Sequence, residues 1–538
     1  MEQQYKDTEK FNIILFLCGW GPHAAYQMLQ DRENGFYSLS EIKMVRIPCT
    51  GRISKALLFK AFEMGADGVA LVGCETGTCR YGTGTINAKN NVEDTRGILG
   101  LLGLGKDRLQ LATFLPDDTG NLLKFLTDFC ARIKSIGKSP VISQPKRSFV
   151  EFKDSQELIN QIVAKYNVNI CEDCGKCSSA CPLTLMGKPF SPRAVANAVV
   201  TGRIDSPGVQ KDIWSCLTCG LCYDRCPSAV NFPEFIREMR YVLKKSGAVE
   251  LESHGGFFQS LMRTIASKNI TTRHWEWLPD DIRIDYKSKI LFYGGCAPYF
   301  DIFSRNHLGI KTNRILVDSL RLLNFFDIYP ALIKDERCCG HDLLWTGDKE
   351  NFLRLAKLNV DFIHQSGIEE LVTACPECYR TFAHDYPEQG VEVNFKVTHI
   401  FELLEREIDK GAVGFKKYDK KLTFQDPCRL SRLEGRADLP RKLIKRLDPL
   451  SFKEMQDRKG SAICCGNCAW TGCDSYSKAL QVKRIRQAHQ TGSDLLVTAC
   501  PKCQIHLLCA MEDPFIGKEL KMEILDLTSV LAETIYWE

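Results

Sequence analysis

Leu371-Val372-Thr373-Ala374-Cys375-Pro376-Glu377-Cys378 is restated further along the chain as Leu496-Val497-Thr498-Ala499-Cys500-Pro501-Lys502-Cys503. Cys338-Cys339-Gly340 returns in the same way as Cys464-Cys465-Gly466, so both signals recur at an offset of about 125 residues. In each copy a short apolar run of strand length precedes the cysteine pair. A further cysteine stands upstream behind another apolar strand: Cys296 after Ile290 to Tyr293, and Cys428 after Leu422 to Phe424. Residues 286–538 are therefore predicted to form a duplicated α/β Cys-Cys-Gly domain. One half offers Cys296, Cys338, Cys339, Cys375 and Cys378, and the other Cys428, Cys464, Cys465, Cys500 and Cys503. Five thiolates exceed what a cubane or a tetrahedral zinc takes, and an adjacent pair suits an opened, larger iron–sulfur assembly. Zinc and redox-active cysteine pairs are the other readings of the same spacing.

Upstream, Cys171, Cys174, Cys177 and Cys181-Pro182 form Cys-x-x-Cys-x-x-Cys-x-x-x-Cys-Pro, and Cys216, Cys219, Cys222 and Cys226-Pro227 repeat it without change. Three thiolates at this spacing wrap one face of a cubane, and the distant fourth ligates the other cluster in two-cluster ferredoxins. The predicted sets are Cys171, Cys174, Cys177 and Cys226 for one 4Fe–4S cluster, and Cys216, Cys219, Cys222 and Cys181 for the other. Pro192 to Val200 has helical apolar spacing, so residues 148–250 read as a small helical two-cluster ferredoxin-like domain.

Residues 1–147 alternate strands and helices: strands at Phe11 to Leu17, Lys43 to Ile47, Gly68 to Val72 and Arg108 to Phe114, helices at His23 to Leu29, Ser54 to Met64 and Asn121 to Ile136. That alternation predicts a flavodoxin-like, doubly wound parallel sheet. Cys18, Cys49 and Cys74 each sit just past one of those strands, at the carboxyl edge where such sheets bind ligands. Cys79 follows in the Gly/Thr-rich loop Glu75 to Thr85. Four thiolates there suit a 2Fe–2S centre, a zinc site, or four separate buried cysteines. Cys130, in a helical stretch, reads as core, as do Cys468, Cys473 and Cys509, with a lesser reading in which these last three tune a cluster. Residues 251–285 read as linker.

At 44% apolar and 25% charged, the 538-residue chain has ample material for about three folded domains. Its 26 cysteines cluster at ligand spacings rather than as a disulfide framework. Met1 to Lys10 is polar, without a secretory apolar region, and no run approaches the ~20 apolar residues of a membrane span. A reducing cytoplasm is the expected location. The formal charge of +5 counts thiols as neutral; ligating thiolates would turn the loaded protein mildly acidic. With Lys and Arg scattered, nucleic-acid binding is not expected.

Family resemblance extends these readings. Phe16-Leu17-Cys18-Gly19-Trp20, Arg46-Ile47-Pro48-Cys49-Thr50-Gly51-Arg52, Ala61 to Val69 and Gly73-Cys74-Glu75-Thr76-Gly77-Thr78-Cys79 resemble the delta subunit of methyl-viologen-reducing hydrogenase. That family usually has a second cysteine shortly after the first, where this chain has Gly21. The doubled ferredoxin motif is similar to the C subunit of heterodisulfide reductase, and the duplicated domain resembles its B subunit. The resemblance implies one 2Fe–2S cluster, two cubane 4Fe–4S clusters and two noncubane 4Fe–4S clusters. It also implies that the ten C-terminal cysteines carry the chemistry, reducing a disulfide to two thiols.

No Gly-x-Gly-x-x-Gly loop follows a strand, so no flavin is expected in this chain. The implied partners are a flavoprotein resembling the A subunit of heterodisulfide reductase, with flavin-based electron bifurcation, and a hydrogenase, formate dehydrogenase or NADH-type electron donor. The alternative is an electron-transfer subunit without its own substrate, serving a flavin dehydrogenase, quinone module or acyl-CoA reductase. A zinc-rich scaffold is a third reading. His341, next to the first Cys-Cys-Gly, is a candidate to deliver protons or to support the site.

Overall fold

The computed structural model describes residues 10–31, 41–143, 149–248, 251–411 and 414–535. The polar stretch at residues 1–9 and the domain boundary expected at 147/148 lie outside them. The chain divides into two compact units, residues 1–146 with 254–273, and residues 147–253 with 274–538.

The first unit is built on four parallel strands in the order β2-β1-β3-β4: β1 (Ile13–Cys18), β2 (Ile42–Ile47), β3 (Gly68–Gly73) and β4 (Leu109–Thr113). That is the predicted doubly wound sheet. Every residue of β3 is buried, because helices cover both faces of its central position. The helix Lys55–Glu63 starts at Ser54, whose Oγ accepts from the Leu57 N–H. A helix not foreseen from the sequence, Gly84–Leu101, follows the Gly/Thr-rich loop. Its asparagines, threonines and glycines are weak helix formers, and packing of Ala88, Val92, Ile98 and Leu99 overrides them.

The stretch read as linker is largely not one. Residues 254–273 belong to the first unit, and Phe257–Ile265 is a helix buried along its whole length. It packs on the helix Lys55–Glu63, with Phe257 edge-on to Phe59. Glu63, at the end of that same helix, fixes it further. Its carboxylate accepts from Arg263 Nε at 2.6 Å and from Ser260 Oγ, with both charged side chains almost fully buried. Burial alone would raise the Glu63 pKa, but Arg263 turns the balance and holds it below the ordinary range.

The second unit joins the ferredoxin-like and duplicated regions in one body. Helices Pro192–Val200, Pro207–Ser215 and Phe232–Lys245 frame the two motif loops. The duplication is visible in the sheets. The first is β5 (Ile290–Tyr293), β6 (Glu370–Thr373) and β7 (Lys396–His399), in that order and parallel. The second contains β8 (Tyr418–Gln425), β10 (Leu495–Thr498) and β11 (Glu523–Asp526) in the equivalent order, with β9 (Pro449–Phe452) added beside β8. One apolar core runs through both sheets, from Phe292 and Val372 to Phe424 and Val497.

Removing one partner of a buried ion pair leaves the other charge unmatched, at about 3–5 kcal/mol. Arg263→Ala should destabilise the first unit by that amount in urea unfolding of the intact protein. An unchanged midpoint would refute the anchoring of 254–273 by Glu63.

Candidate metal centres

In the first unit, Cys18 ends β1, Cys49 follows β2 and Cys74 follows β3, so three adjacent strands deliver thiols to one rim. Cys79 folds back from the loop beyond. The sulfurs meet in pairs: Cys18 Sγ to Cys74 Sγ is 3.7 Å, and Cys49 Sγ to Cys79 Sγ is 3.8 Å. Two thiolates on one tetrahedral metal at about 2.3 Å stand about 3.8 Å apart, so each pair has the spacing of two ligands on one ion. Burial, then the neighbouring Cys18, pushes the Cys74 thiol up to about 12. At Cys79 burial is outweighed by the Tyr81 N–H and the Cys49 thiol, which hold it below the usual thiol range. A Cβ on Gly84 would lie 2.6 Å from Cys49 Sγ and 2.7 Å from Cys79 Sγ, so only glycine leaves this pair its room. Gly21 also faces the site: its Cβ would stand 3.1 Å from Cys74 Sγ. Cys130, by contrast, is buried in the core of the helix Thr119–Ile136.

The two ferredoxin motifs share backbone turns as well as spacing. Asp173 and Thr218 both have positive φ, at 52° and 43°, and Gly175 and Gly220 repeat this at 78° and 83°. Cys171, Cys174, Cys177, Cys222 and Cys226 line one cleft, so the last two cysteines of the second motif stand with the first three of the first. Cys181, Cys216 and Cys219 are buried in the neighbouring core, with Cys222 packed against it. The two sites differ in setting: Cys171 and Cys174 are exposed, whereas Cys216 and Cys219 are buried.

Each C-terminal half gathers its five thiols in the same order. In the first, Cys296 Sγ lies 2.7 Å from Cys338 Sγ, Cys338 touches Cys339, Cys339 touches Cys378, and Cys378 touches Cys375. In the second, Cys428 meets Cys464, then Cys465, Cys503 and Cys500. Contact with a neighbouring sulfur, added to burial, pushes Cys338, Cys339, Cys378, Cys428 and Cys503 well above the usual thiol range. Cys465 is the exception, held at about 6 by the thiols of Cys464 and Cys503. A metal that replaces these protons relieves the crowding, and dense buried thiol sets of this kind fit iron–sulfur groups.

The halves are tied together by residues that, His341 apart, the sequence reading did not single out. Glu377 and Lys502 hold the same place in the two Cys-Pro-x-Cys loops, and they meet as a buried ion pair at 2.6 Å. Asp342 also binds Lys502. His341, Asp342 and Glu377 lie within 4.8 Å of one another, a spacing that suits a cation, but the Lys502 ammonium already bridges both carboxylates. Burial pulls His341 well below its usual pKa, so its ring is neutral. Its Nε2 accepts from Arg429 Nε at 3.2 Å, which leaves Nδ1–H to donate to Asp342 at 2.9 Å. Cys468 is buried beside Thr218 and Arg429, Cys473 is exposed, and Cys509 is half-buried near Lys478.

A chain with parallel-sheet rims, a doubled cubane motif and two five-thiol sets is an iron–sulfur electron-transfer protein. Residues 13–137 match the family of the methyl-viologen-reducing hydrogenase delta subunit. Residues 165–230 match the 4Fe-4S dicluster domain, and 291–383 and 422–508 match the cysteine-rich domain. The D subunit of the dihydromethanophenazine:CoB–CoM heterodisulfide reductase of Methanosarcina acetivorans is 31% identical, over 55% of this chain and 72% of its own length. Its counterpart in Methanosarcina barkeri is 28% identical over 60% and 77%. The B subunit of a fumarate reductase (CoM/CoB) of Methanothermobacter marburgensis is 26% identical over 66% and 71%. The protein belongs to the family of the heterodisulfide reductase D subunit, with a hydrogenase-delta-like domain joined ahead of it. Among the described residues no helix is long and apolar enough to cross a membrane.

Gly84→Ala should lower the iron content per chain by crowding these sulfurs, whereas Gly120→Ala, with open space around it, should not. Equal iron in both variants would mean that Gly84 does not guard the site.

Proposed function

We propose that this chain is the disulfide-handling iron–sulfur subunit of a heterodisulfide-reductase-like complex. In this reading Cys18 with Cys74, and Cys49 with Cys79, each hold one iron of a 2Fe–2S cluster. Cys171, Cys174, Cys177 and Cys226 hold one cubane, and Cys181, Cys216, Cys219 and Cys222 the other. The two five-cysteine sets hold noncubane 4Fe–4S clusters. When bound, these groups supply one-electron carriers and a Lewis-acidic iron near the substrate. The overall reaction takes a disulfide, two electrons and two protons to two thiols.

The observation that carries the reading is the pair of identically threaded five-thiol sets, joined loop to loop by Glu377 and Lys502. A single set would serve as a relay; two facing sets suit two thiol halves. Cys375 and Cys500, one from each set, interact electrostatically across this junction. On the other side, Cys219 interacts with Cys464, and the buried cubane cysteines share one core with Cys464, Cys465, Cys500 and Cys503. The protein thus leads from the exposed Cys171 and Cys174 inward to the second half. The hydrogenase-delta-like domain supports a hydrogenase-type donor, and a flavoprotein like the A subunit of heterodisulfide reductase is the expected partner. A second reading, an electron-transfer subunit without its own substrate, is favoured by the 4Fe-4S dicluster domain, which needs no substrate of its own to pass electrons.

The test is EPR of the anaerobically purified, oxidised protein with and without coenzyme M, coenzyme B or cysteine. A signal that arises only with thiol, and is lost in Cys338→Ser or Cys464→Ser, is expected. A complete iron content of about 18 atoms per chain with no thiol-dependent signal would favour the second reading.

A further inference from the structure

Two arginines follow Cys428 by one and by four positions, and both reach across to the ferredoxin-like loop. Arg429 is buried and lies over Trp345, with its guanidinium carbon 4.1 Å from the ring centroid. Its Nη1 donates to Thr218 O at 2.6 Å, and its Nη2 to Thr218 Oγ1 at 3.1 Å and Cys468 Sγ at 3.0 Å. Nε donates to His341 Nε2 at 3.2 Å. Arg432, partly exposed, donates to the next carbonyl, Cys219 O, at 2.8 Å, and to Gly460 O and Ala462 O. Leu433 completes the contact, since a Cβ on Gly220 would stand 2.8 Å from its Cδ2. Thr218 is thus gripped in a left-handed backbone, at φ 43°, between the thiols of Cys216 and Cys219.

The charge on Arg429 is the unusual part. Among the described residues its guanidinium makes no ion pair, and its hydrogen bonds end on two neutral oxygens, a neutral ring and a sulfur. The ionisable groups its charge acts on most strongly are the thiols of Cys468 and Cys428, with the carboxylates of Glu377 and Asp385 behind them. A cation sealed in low dielectric beside these sulfurs, without a carboxylate of its own in contact, favours any negative charge added at their site. In the other half Cys296 is followed by Ala297, Pro298, Tyr299 and Phe300, and the buried cations near its thiols, Arg337, Arg380 and Lys502, are each paired to carboxylates. The duplicated domain is therefore electrostatically lopsided toward its second half, the half that adjoins the buried cubane cysteines.

We infer that Arg429, assisted by Arg432, makes the second C-terminal site and the adjoining Cys181/Cys216/Cys219/Cys222 site the favoured resting places for an electron. Charge and hydrogen bonding near the sulfurs are the levers that set iron–sulfur potentials. The inference rests on the cluster assignment proposed above.

The experiment is an EPR-monitored redox titration of the full-length protein, purified anaerobically and poised with dithionite and mediators, for wild type, Arg429→Gln, Arg429→Lys and Arg432→Gln. Arg429→Gln should make both neighbouring sites about tenfold harder to reduce, which for one electron is about 59 mV. The exposed Cys171/Cys174/Cys177/Cys226 site should hold its potential and serves as the internal control. Arg429→Lys, which keeps the charge but loses the fork, should stay closer to wild type than Arg429→Gln. A fully iron-loaded Arg429→Gln with unmoved potentials, or with all sites shifted equally, would overturn the inference. Where that variant loses iron, Arg432→Gln decides, because a shift at the adjoining cubane alone is required. A wild-type protein that lacks these signals would instead remove the cluster assignment itself.

Discussion

Buried thiols that ionise together repel one another, and this chain buries them in groups of four and five. Such groups either keep their protons, as the raised pKa values favour, or give them up to something positive among the sulfurs, which is the place a metal takes. Parallel strands solve the geometric half of the problem. Their carboxyl ends open onto one rim, and β1, β3, β6 and β10 each run directly into a cysteine within two residues. The first unit and both C-terminal halves use the same device, so that neighbouring strands, rather than long loops, set the sulfur spacing. Gly84 shows how little slack remains, since a single methyl there would press on two sulfurs at once.

The interior of the second unit is correspondingly rich in fixed charge. Glu377 and Lys502 turn a duplicated loop position into a bond between the duplicates, which a repeat with identical residues at that place could not make. Arg237 is held by Glu234, Glu238 and Glu388. Arg240 spends its guanidinium on the carbonyls of Ile213, Trp214, Cys216 and Trp345, which joins the ferredoxin-like loop to the residues after the first Cys-Cys-Gly. Arg429 and Arg432 do the same from the second half. The cubane loop is therefore gripped by arginines through its backbone, and its register against the C-terminal domain does not depend on side-chain packing alone.

Much of this was readable in one dimension. The strands of the first unit, the helix Pro192–Val200 and the five-cysteine repeat all lie where apolar periodicity and spacing put them. Among the elements that were not read, two are instructive. The helix Gly84–Leu101 hides behind weak helix formers and a glycine that serves the sulfurs rather than the helix. The helix Phe257–Ile265 did carry a signal, with Phe257, Phe258, Leu261, Met262 and Ile265 at helical spacing, but its flanking glycines and polar residues suggested a linker. Cys468 could not be told from an ordinary core cysteine, because what distinguishes it is the company of Thr218 and Arg429.

The sequence by itself determined the number of cysteine sets, the doubling of the C-terminal half, and the strands that present the thiols. Ligand spacing and strand periodicity are local properties, and a chain carries them without reference to its fold. Only the tertiary structure decided which sulfurs stand in pairs, that 254–273 returns to the first unit, and that the buried cysteines of the ferredoxin-like region share a core with the thiols of the second half. Those outcomes depend on contacts between residues more than two hundred positions apart, as with Thr218 and Arg429. Such pairings are selected by burial and charge in three dimensions, where no linear period records them.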